Sequence, residues 1–547
     1  MQIVIPMSGF GERFRAEGYE IPKPLIVVDD KPIISHVVDL FPGDHRFVFV
    51  CNAEHLESAE WAMRPLLESL AIDAVIVPIS PHKLGPVGAV LAAEQYIDSH
   101  QPTVVNYADF SCFWDFESFL VDINRRSLAG SVPAYRGFHP HSGGSTNYAY
   151  IVEKNMTLQK IREKEPFTDS KVHEFASSGT YYFATGALML ELFRRQVDEG
   201  LSVGGEFYVS TAMGLLQRTG APVGVFELEH FMQWGTPADL EAYREYSEVF
   251  RSLTKLESCP ISVAGSGPAL VLAGGSGTRF AREGYVLSKP LLPIGGESIV
   301  AQVRKAAEDL DSTFAIASAS DVAKELAAVG FSDVLDIPQV SSGQAQSASL
   351  LVDHISSRIS GKFTVLPCDT LFADTSGLAP NPDEDAGDFL AVWVRRPDRF
   401  ALDHPEQFGW VWQIENSTFV SVKEAPRGPN AKVMAGAFTF SSVEFFSSLV
   451  DALGASGASV NGEVYLDSLV QMAVERRAHV RIFEPEIAVS LGTPREYEAF
   501  RYWQRCFDLW PTHPYSLELD PFIRERMVGE VRLELDRSFG LQERAVL

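Results

Sequence analysis

Apolar residues along this chain fall into two alternating patterns. Short runs rich in β-branched and aromatic residues read as buried strands: Arg46–Cys51, Ala74–Val77 and Thr103–Asn106 in the first half, Phe363–Pro367 and Leu390–Val394 in the second. Longer stretches between them carry the three- and four-residue spacing of amphipathic helices. Strand then helix, repeated, is the pattern of an α/β fold with a mixed, mostly parallel sheet covered on both faces. The chain opens on a strand-like run, Met1–Pro6, with neither the basic flank nor the cleavage region of a signal peptide. No run approaches the roughly 20 apolar residues of a membrane-spanning helix. A soluble chain with no membrane partner is expected.

The pattern repeats itself. Residues 3–34 read IVIPMSGFGERFRAEGYEIPKPLIVVDDKPII, and residues 269–300 read ALVLAGGSGTRFAREGYVLSKPLLPIGGESIV. Without a gap these align Gly9 with Gly275, Gly11 with Gly277, Arg13 with Arg279, Lys23 with Lys289 and Pro24 with Pro290. Farther on, Ala108-Asp109 matches Cys368-Asp369, Gly205-Glu206 matches Gly462-Glu463, and Gly235-Thr236-Pro237 matches Gly492-Thr493-Pro494. So long a period is a duplicated domain and not a solenoid unit. The expected organisation is a first domain over 1–250, a linker over 251–267 ending in Ala264-Gly265-Ser266-Gly267-Pro268, a second domain over 268–510, and a C-terminal helical tail over 511–547. Phe522–Phe539 is a candidate amphipathic helix for packing or for homo-oligomer formation.

Composition narrows the partners. A length of 547 residues needs more than one core, and 46% hydrophobic with 22% charged residues is ordinary for a globular protein. The net charge of -26 disfavours nucleic acid, whose phosphates need a cationic surface. An anionic small substrate is still compatible, because Arg and Lys gathered in one cleft reverse the local field. Five scattered cysteines without a Cys-x-x-Cys pair fit a reducing compartment, by default the cytoplasm, and neither a disulfide framework nor a zinc site. The pair His139 and His141 sits among Gly and Ser, which predicts an exposed loop.

The chemistry lies in the repeated loop. Met7-Ser8-Gly9-Phe10-Gly11-Glu12-Arg13 follows the first strand directly, where glycines let backbone amides approach a phosphate. A dinucleotide fingerprint needs a third glycine where Phe14 and Phe280 stand, and a Walker loop needs Gly-Lys-Ser/Thr, which is missing. Gly-x-Gly-x-Arg-Phe followed by Lys-Pro-Leu resembles the nucleotidyltransferase superfamily, especially the sugar-1-phosphate nucleotidyltransferases, over about 1–245 and 268–505.

That resemblance implies two tandem Rossmann-like, GT-A-type domains. Each would bind a nucleoside triphosphate and a phosphorylated small-molecule acceptor, with Mg2+ as cofactor. It implies that Ser8, Gly9, Gly11 and Arg13, and in the second half Gly275, Gly277 and Arg279, wrap the triphosphate, with Lys23 and Lys289 at the α-phosphate. Asp109 and Asp369 match the metal-binding acid, and Gly85, Gly88 and Gly343 fall in the base-recognition segments. Glu163-Lys164 resembles the acceptor-binding Glu-Lys pair. On that alignment Glu424 survives in the second half while Ala425 replaces the lysine, with Lys423 as a neighbouring substitute. Tyr148, Gly179, Glu206 and Tyr208, with Glu463 in the second half, would line the acceptor pocket. The family's second metal acid, just before Gly-Thr-Pro, is missing from Met232-Gln233-Trp234 and from Val489-Ser490-Leu491.

The expected activity joins an NTP to a sugar phosphate or similar acceptor and releases pyrophosphate. Three readings of the duplication stay open: two halves acting on different acceptors, two on one acceptor, or an altered, regulatory second half. A glycosyltransferase of similar fold would carry an Asp-x-Asp motif where Ala108-Asp109-Phe110 and Cys368-Asp369-Thr370 stand. A non-catalytic tandem nucleotide-binding scaffold is the remaining alternative.

Overall fold

The computed structural model describes residues 1–143, 147–256, 267–307, 312–339, 343–373, 387–415, 417–457 and 463–539. The chain divides into two compact units, Met1–Arg244 with the segment from Asp536 onward, and Glu245–Leu535. Most of the linker expected over 251–267, namely 257–266, lies outside the described residues, as do the last eight residues of the expected tail.

In the first unit Gln2–Met7 pairs in parallel with Arg46–Asn52 and with Thr103–Asn106, and Arg46–Asn52 pairs in parallel with Asp73–Ile79. Thr180–Phe183 then runs antiparallel to Thr103–Asn106, and the sheet continues through Gly130–Tyr135, Val223–Glu227, Thr157–Glu163, Ala149–Lys154 and Phe175–Ser177. The parallel ladder therefore carries the glycine loop, and the strands that carry Glu163 and Lys164 are antiparallel. Antiparallel pairing takes a larger share of the sheet than the strand-helix alternation predicts: Ala149–Lys154 and Thr157–Glu163 form a hairpin, and Thr180–Phe183 and Phe175–Ser177 pair antiparallel with strands distant in sequence.

Side chains drive this arrangement. Val4, Val48, Val50, Val105 and Val132 are buried from the strands against Met189, Phe193, Met213 and Leu216 of the helices Gly186–Asp198 and Val209–Arg218. Each such side chain contributes about 1.5–3 kcal/mol on burial. Thr185 caps the first of these helices by accepting from the Leu188 amide at 3.2 Å. The second helix starts directly after Tyr208, so its packing fixes the Glu206–Tyr208 turn at the mouth of the sheet.

The second unit repeats the plan. Ala269–Ala273 is parallel to Thr313–Ala317 and to Phe363–Pro367, and Phe363–Pro367 is antiparallel to Lys432–Phe440. Gly409–Ile414 and Ser417–Val422 form a hairpin at the far side. The helix Asp467–Glu475 buries Leu469, Val470 and Ala473, and stands where Val209–Arg218 stands in the first unit.

The segment beyond residue 510 corrects the expectation of a separate helical tail. Residues 511–535 belong to the second unit. Gln302 donates to the Phe522 carbonyl at 2.8 Å, and Gln504 and Tyr515 donate to Asp520 at 2.9 and 2.6 Å. The helix there is Val528–Ser538, shorter than the Phe522–Phe539 expected, because Asp520 caps the Phe522 amide and holds the chain in a turn.

Candidate active sites

Both units place a turn with a left-handed glycine after the first strand. Gly11 (φ 65°) and Gly277 (φ 58°) each cap a five-residue helix that begins with the next residue. A Cβ at Gly9, Gly11, Gly275 or Gly277 would meet nothing within 4 Å, so these glycines leave the backbone open and fill no packing gap.

Facing the loop is a lysine-aspartate pair. Lys23 Nζ donates to Asp109 Oδ2 at 2.6 Å and to the Gly235 carbonyl at 3.3 Å. Lys289 bonds to Asp369 in the same way. Burial alone would lower the Lys289 ammonium, but Asp369, with Cys368 and Glu496, outweighs it and holds the charge on the lysine. Each aspartate is positioned by a small two-stranded antiparallel sheet: the Trp234 amide donates to the Asp109 carbonyl at 2.9 Å, and the Leu491 amide to that of Asp369 at 2.7 Å.

A cleft of about 550 Å³ in the first unit joins these groups to the residues expected to line an acceptor pocket. It is lined by Ser8, Gly9, Gly11, Arg13, Lys23, Gly85, Asp109, Tyr148, Glu163, Lys164, Gly179, Glu206 and Tyr208, so distant stretches of chain converge as expected. Lys164 donates to the Tyr208 hydroxyl at 2.5 Å, and that hydroxyl bonds to Glu206. Glu163 accepts from Ser210 Oγ at 2.6 Å, and burial pushes its carboxyl up. Gly88 is not among the lining residues. It lies in the helix Gly85–Ala92, where a Cβ would approach Leu84 Cβ to 2.6 Å.

The cleft of the second unit, about 410 Å³, is lined by Gly277, Arg279, Lys289, Asp369, Lys423, Glu463 and Tyr465 among others. Gly275, Gly343 and Glu424 are not on its lining. Gly343 and Gly85 have a packing role in common. A Cβ on Gly85 (φ 78°) would meet the Phe207 amide nitrogen at 3.0 Å, and one on Gly343 (φ 146°) the Val464 nitrogen at 2.7 Å. These glycines let the helices Gly85–Ala92 and Gln344–Ile355 start against the Glu-x-Tyr turn.

Glu424 requires a correction of register. Lys164 and Lys423 both follow the last residue of a strand with left-handed backbone, φ 60° and 58°. Their amides donate to the residue before the partner strand, Lys164 to Tyr148 at 2.8 Å and Lys423 to Phe408 at 2.9 Å. Their ammonium groups lie over Tyr208 at 4.5 Å and over Tyr465 at 4.9 Å. Lys423 is therefore the counterpart of Lys164, Val422 that of Glu163, and Glu424 is an exposed residue beyond them. The strand ends at Val422, so the expected strand-face neighbour relation between Lys423 and Ala425 does not arise.

Sequence reading missed three groups. Arg395, 14% exposed, lines the second cleft, and by strand register its position corresponds to that of Tyr135 in the first unit's own sheet. Asp239 and Glu496 sit three residues after a capping threonine in each half, accepting from Thr236 at 2.6 Å and from Thr493 at 2.8 Å. A Thr-x-x-acid capping pattern was visible at both places. Burial pushes the Asp239 carboxyl up, and among its neighbours Asp109 adds to this while Lys23 opposes it. The expectation of an exposed histidine loop is also overturned: His139 is buried against Tyr135 and His141.

Among the described residues no group of three or more His, Cys, Asp or Glu forms a metal cage. Gln233 and Ser490 line the clefts where the second family acid was sought. A hard carboxylate, Asp109 or Asp369, at a strand end facing an open phosphate loop still fits Mg2+, which takes one or two carboxylates and completes its shell with phosphates and water.

Residues 3–204 match the model of the nucleotidyl transferase family, and residues 269–380 that of the MobA-like NTP transferase domain. Each half of the chain thus matches a family of the nucleotidyltransferase type. Among curated relatives, the mannose-1-phosphate guanylyltransferase catalytic subunit beta of Danio rerio is 24% identical over 231 residues, 41% of this chain and 62% of the relative. The bifunctional protein GlmU of Alkaliphilus metalliredigens is 22% identical over 46% of this chain and 52% of the relative. The chain thus spans about three fifths or less of these relatives. A nucleoside-diphosphate-sugar pyrophosphorylase from Vibrio cholerae has a TM-score of 0.35 at 20% identity, over 43% of this chain and 97% of that one. Among the described residues no helix is long and apolar enough to cross a membrane.

Proposed function

We propose that each half is a nucleotidyltransferase that joins an NTP to a phosphorylated small molecule, a sugar phosphate or a close analogue, and releases pyrophosphate. The observation that carries this reading is that one cleft in the first unit is lined both by the glycine loop with its Lys23–Asp109 pair and by Lys164 with Glu163. An oxygen of the acceptor phosphate attacks the α-phosphorus, a phosphorus–oxygen bond forms, and the bond to the β-phosphate bridge breaks as pyrophosphate leaves.

The acceptor phosphate is ionised at neutral pH, so no general base is needed, and the protein's part is to position and neutralise. The open amides of Gly9 and Gly11 and the guanidinium of Arg13 hold the triphosphate. Lys23 moves from Asp109 to the α-phosphate oxygens, and Lys164 holds the acceptor phosphate against Tyr208. Mg2+ bound by Asp109, or by Asp369, would supply charge neutralisation at the phosphates. Cys51, Cys112 and Cys368, buried and without a disulfide, support the cytoplasm as its location.

The test is pyrophosphate release from a panel of NTPs and sugar phosphates. Release of a nucleoside diphosphate from NDP-sugars offered with an acceptor alcohol in a parallel panel would identify a glycosyltransferase, and no product in either panel would identify a scaffold.

A further inference from the structure

In the first cleft the carboxylate beside the acceptor lysine is Glu163, held on its strand by Ser210. The second cleft exchanges three positions together. Val422 stands for Glu163, Asp467 for Ser210, and Gly409 for Ala149. The exchanges depend on each other sterically, because a Cβ at Gly409 would collide with the Asp467 carboxylate. The acid has not been lost. It has moved from a strand to the first residue of the helix Asp467–Glu475, and glycine makes room for it.

Asp467 lines the cleft and is only 9% exposed. Beyond its own amide, no described residue donates a hydrogen bond to it, and its charge partner is Lys423. A buried carboxylate without a donor is costly unless something brings one. The surrounding charge differs as well: Arg395, paired with Asp398 at 2.8 Å, stands where the first unit has Tyr135.

We propose that the second cleft takes a phosphorylated acceptor different from that of the first, one whose hydroxyl or ammonium group donates to Asp467 while Lys423 holds its phosphate. This rests on the nucleotidyltransferase reading and adds to it a specificity-determining residue. A side chain that reads a donor group discriminates strongly against an analogue lacking it, because the buried acceptor is then left unpaired.

The experiment uses the full chain carrying Lys23→Ala, so that only the second half turns over. Probes are glucose 1-phosphate, mannose 1-phosphate and N-acetylglucosamine 1-phosphate as hydroxyl donors, phosphoethanolamine as an ammonium donor, and phosphocholine, which has no donor. Binding is measured by calorimetry and turnover by pyrophosphate release. We expect a donor-bearing probe to be used and phosphocholine refused. Asp467→Asn should raise the KM of that probe at least tenfold, with the KM for NTP within twofold and kcat within threefold.

An unchanged acceptor KM or affinity in Asp467→Asn, a preference for phosphocholine, or binding of no probe would each overturn the proposal. Should Asp467→Asn fail to fold, the pair Val422→Glu with Asp467→Ser restores the arrangement of the first cleft. It should shift the second half toward the acceptor of the first, and no shift counts against the proposal. Probe binding that is lost in Asp467→Asn but yields no pyrophosphate in the parent would defeat the transferase reading and leave this one standing.

Discussion

Lys23 shows how much of the site a single residue commands. Its ammonium meets Asp109 at 2.6 Å in a cleft where charge is poorly screened. We expect Lys23→Ala to lower first-half turnover at least a hundredfold, about 2.7 kcal/mol of transition-state stabilisation, without unfolding the protein. Pyrophosphate release beside a thermal scan checks it, and near-normal turnover would mean the chemistry lies elsewhere. Gly85→Ala should act by another route. At φ 78° and 3.0 Å from the Phe207 backbone, a methyl strains the turn by about 1–3 kcal/mol and raises the KM for NTP. His139 adds a pH dependence. Burial pushes its imidazole down to about 4 from 6.5. The unfolded chain therefore takes the proton first, so the stability His139 contributes is complete above about pH 6.5 and is lost as pH falls toward 4. The melting temperature should decline over that window, and less steeply in His139→Gln.

At the scale of elements, the strand-helix alternation was legible because period-2 and period-3.6 patterns are local. The alignment of Lys423 was not. A two-residue slip in linear comparison set Glu424 against Glu163, and only the paired strands, the left-handed backbone and the tyrosine beneath the ammonium put Lys423 in its place. The segment after residue 510 was also misjudged, since its contacts with Gln302 and Gln504 lie far from it or on a neighbouring element. Asp520, 2% exposed, is the centre of that segment. Replacing it by alanine leaves buried donors on Gln504, Tyr515 and the Phe522 amide, and should cost the second unit about 2–4 kcal/mol. Calorimetry should show that transition lowered and the first unit's transition unmoved.

For the whole molecule, each cleft is built from residues of its own unit, so the two activities should separate. Lys289→Ala should silence one acceptor and Lys23→Ala the other, each leaving its counterpart within twofold, as product analysis with both acceptors will show. Removal of divalent metal by EDTA should stop both, and Mg2+ should restore both. A common loss in either single variant would point to one coupled site.

The sequence alone determined the duplication, the two glycine loops and the fold class, because these rest on residue type at short, fixed spacing. Tertiary structure decided which carboxylate faces which lysine, that Arg395 and Asp467 enter the second cleft, and that His139 is buried. Those outcomes depend on side chains that meet across strands and helices distant in sequence, where a slip of two residues or a glycine's missing Cβ changes the partner.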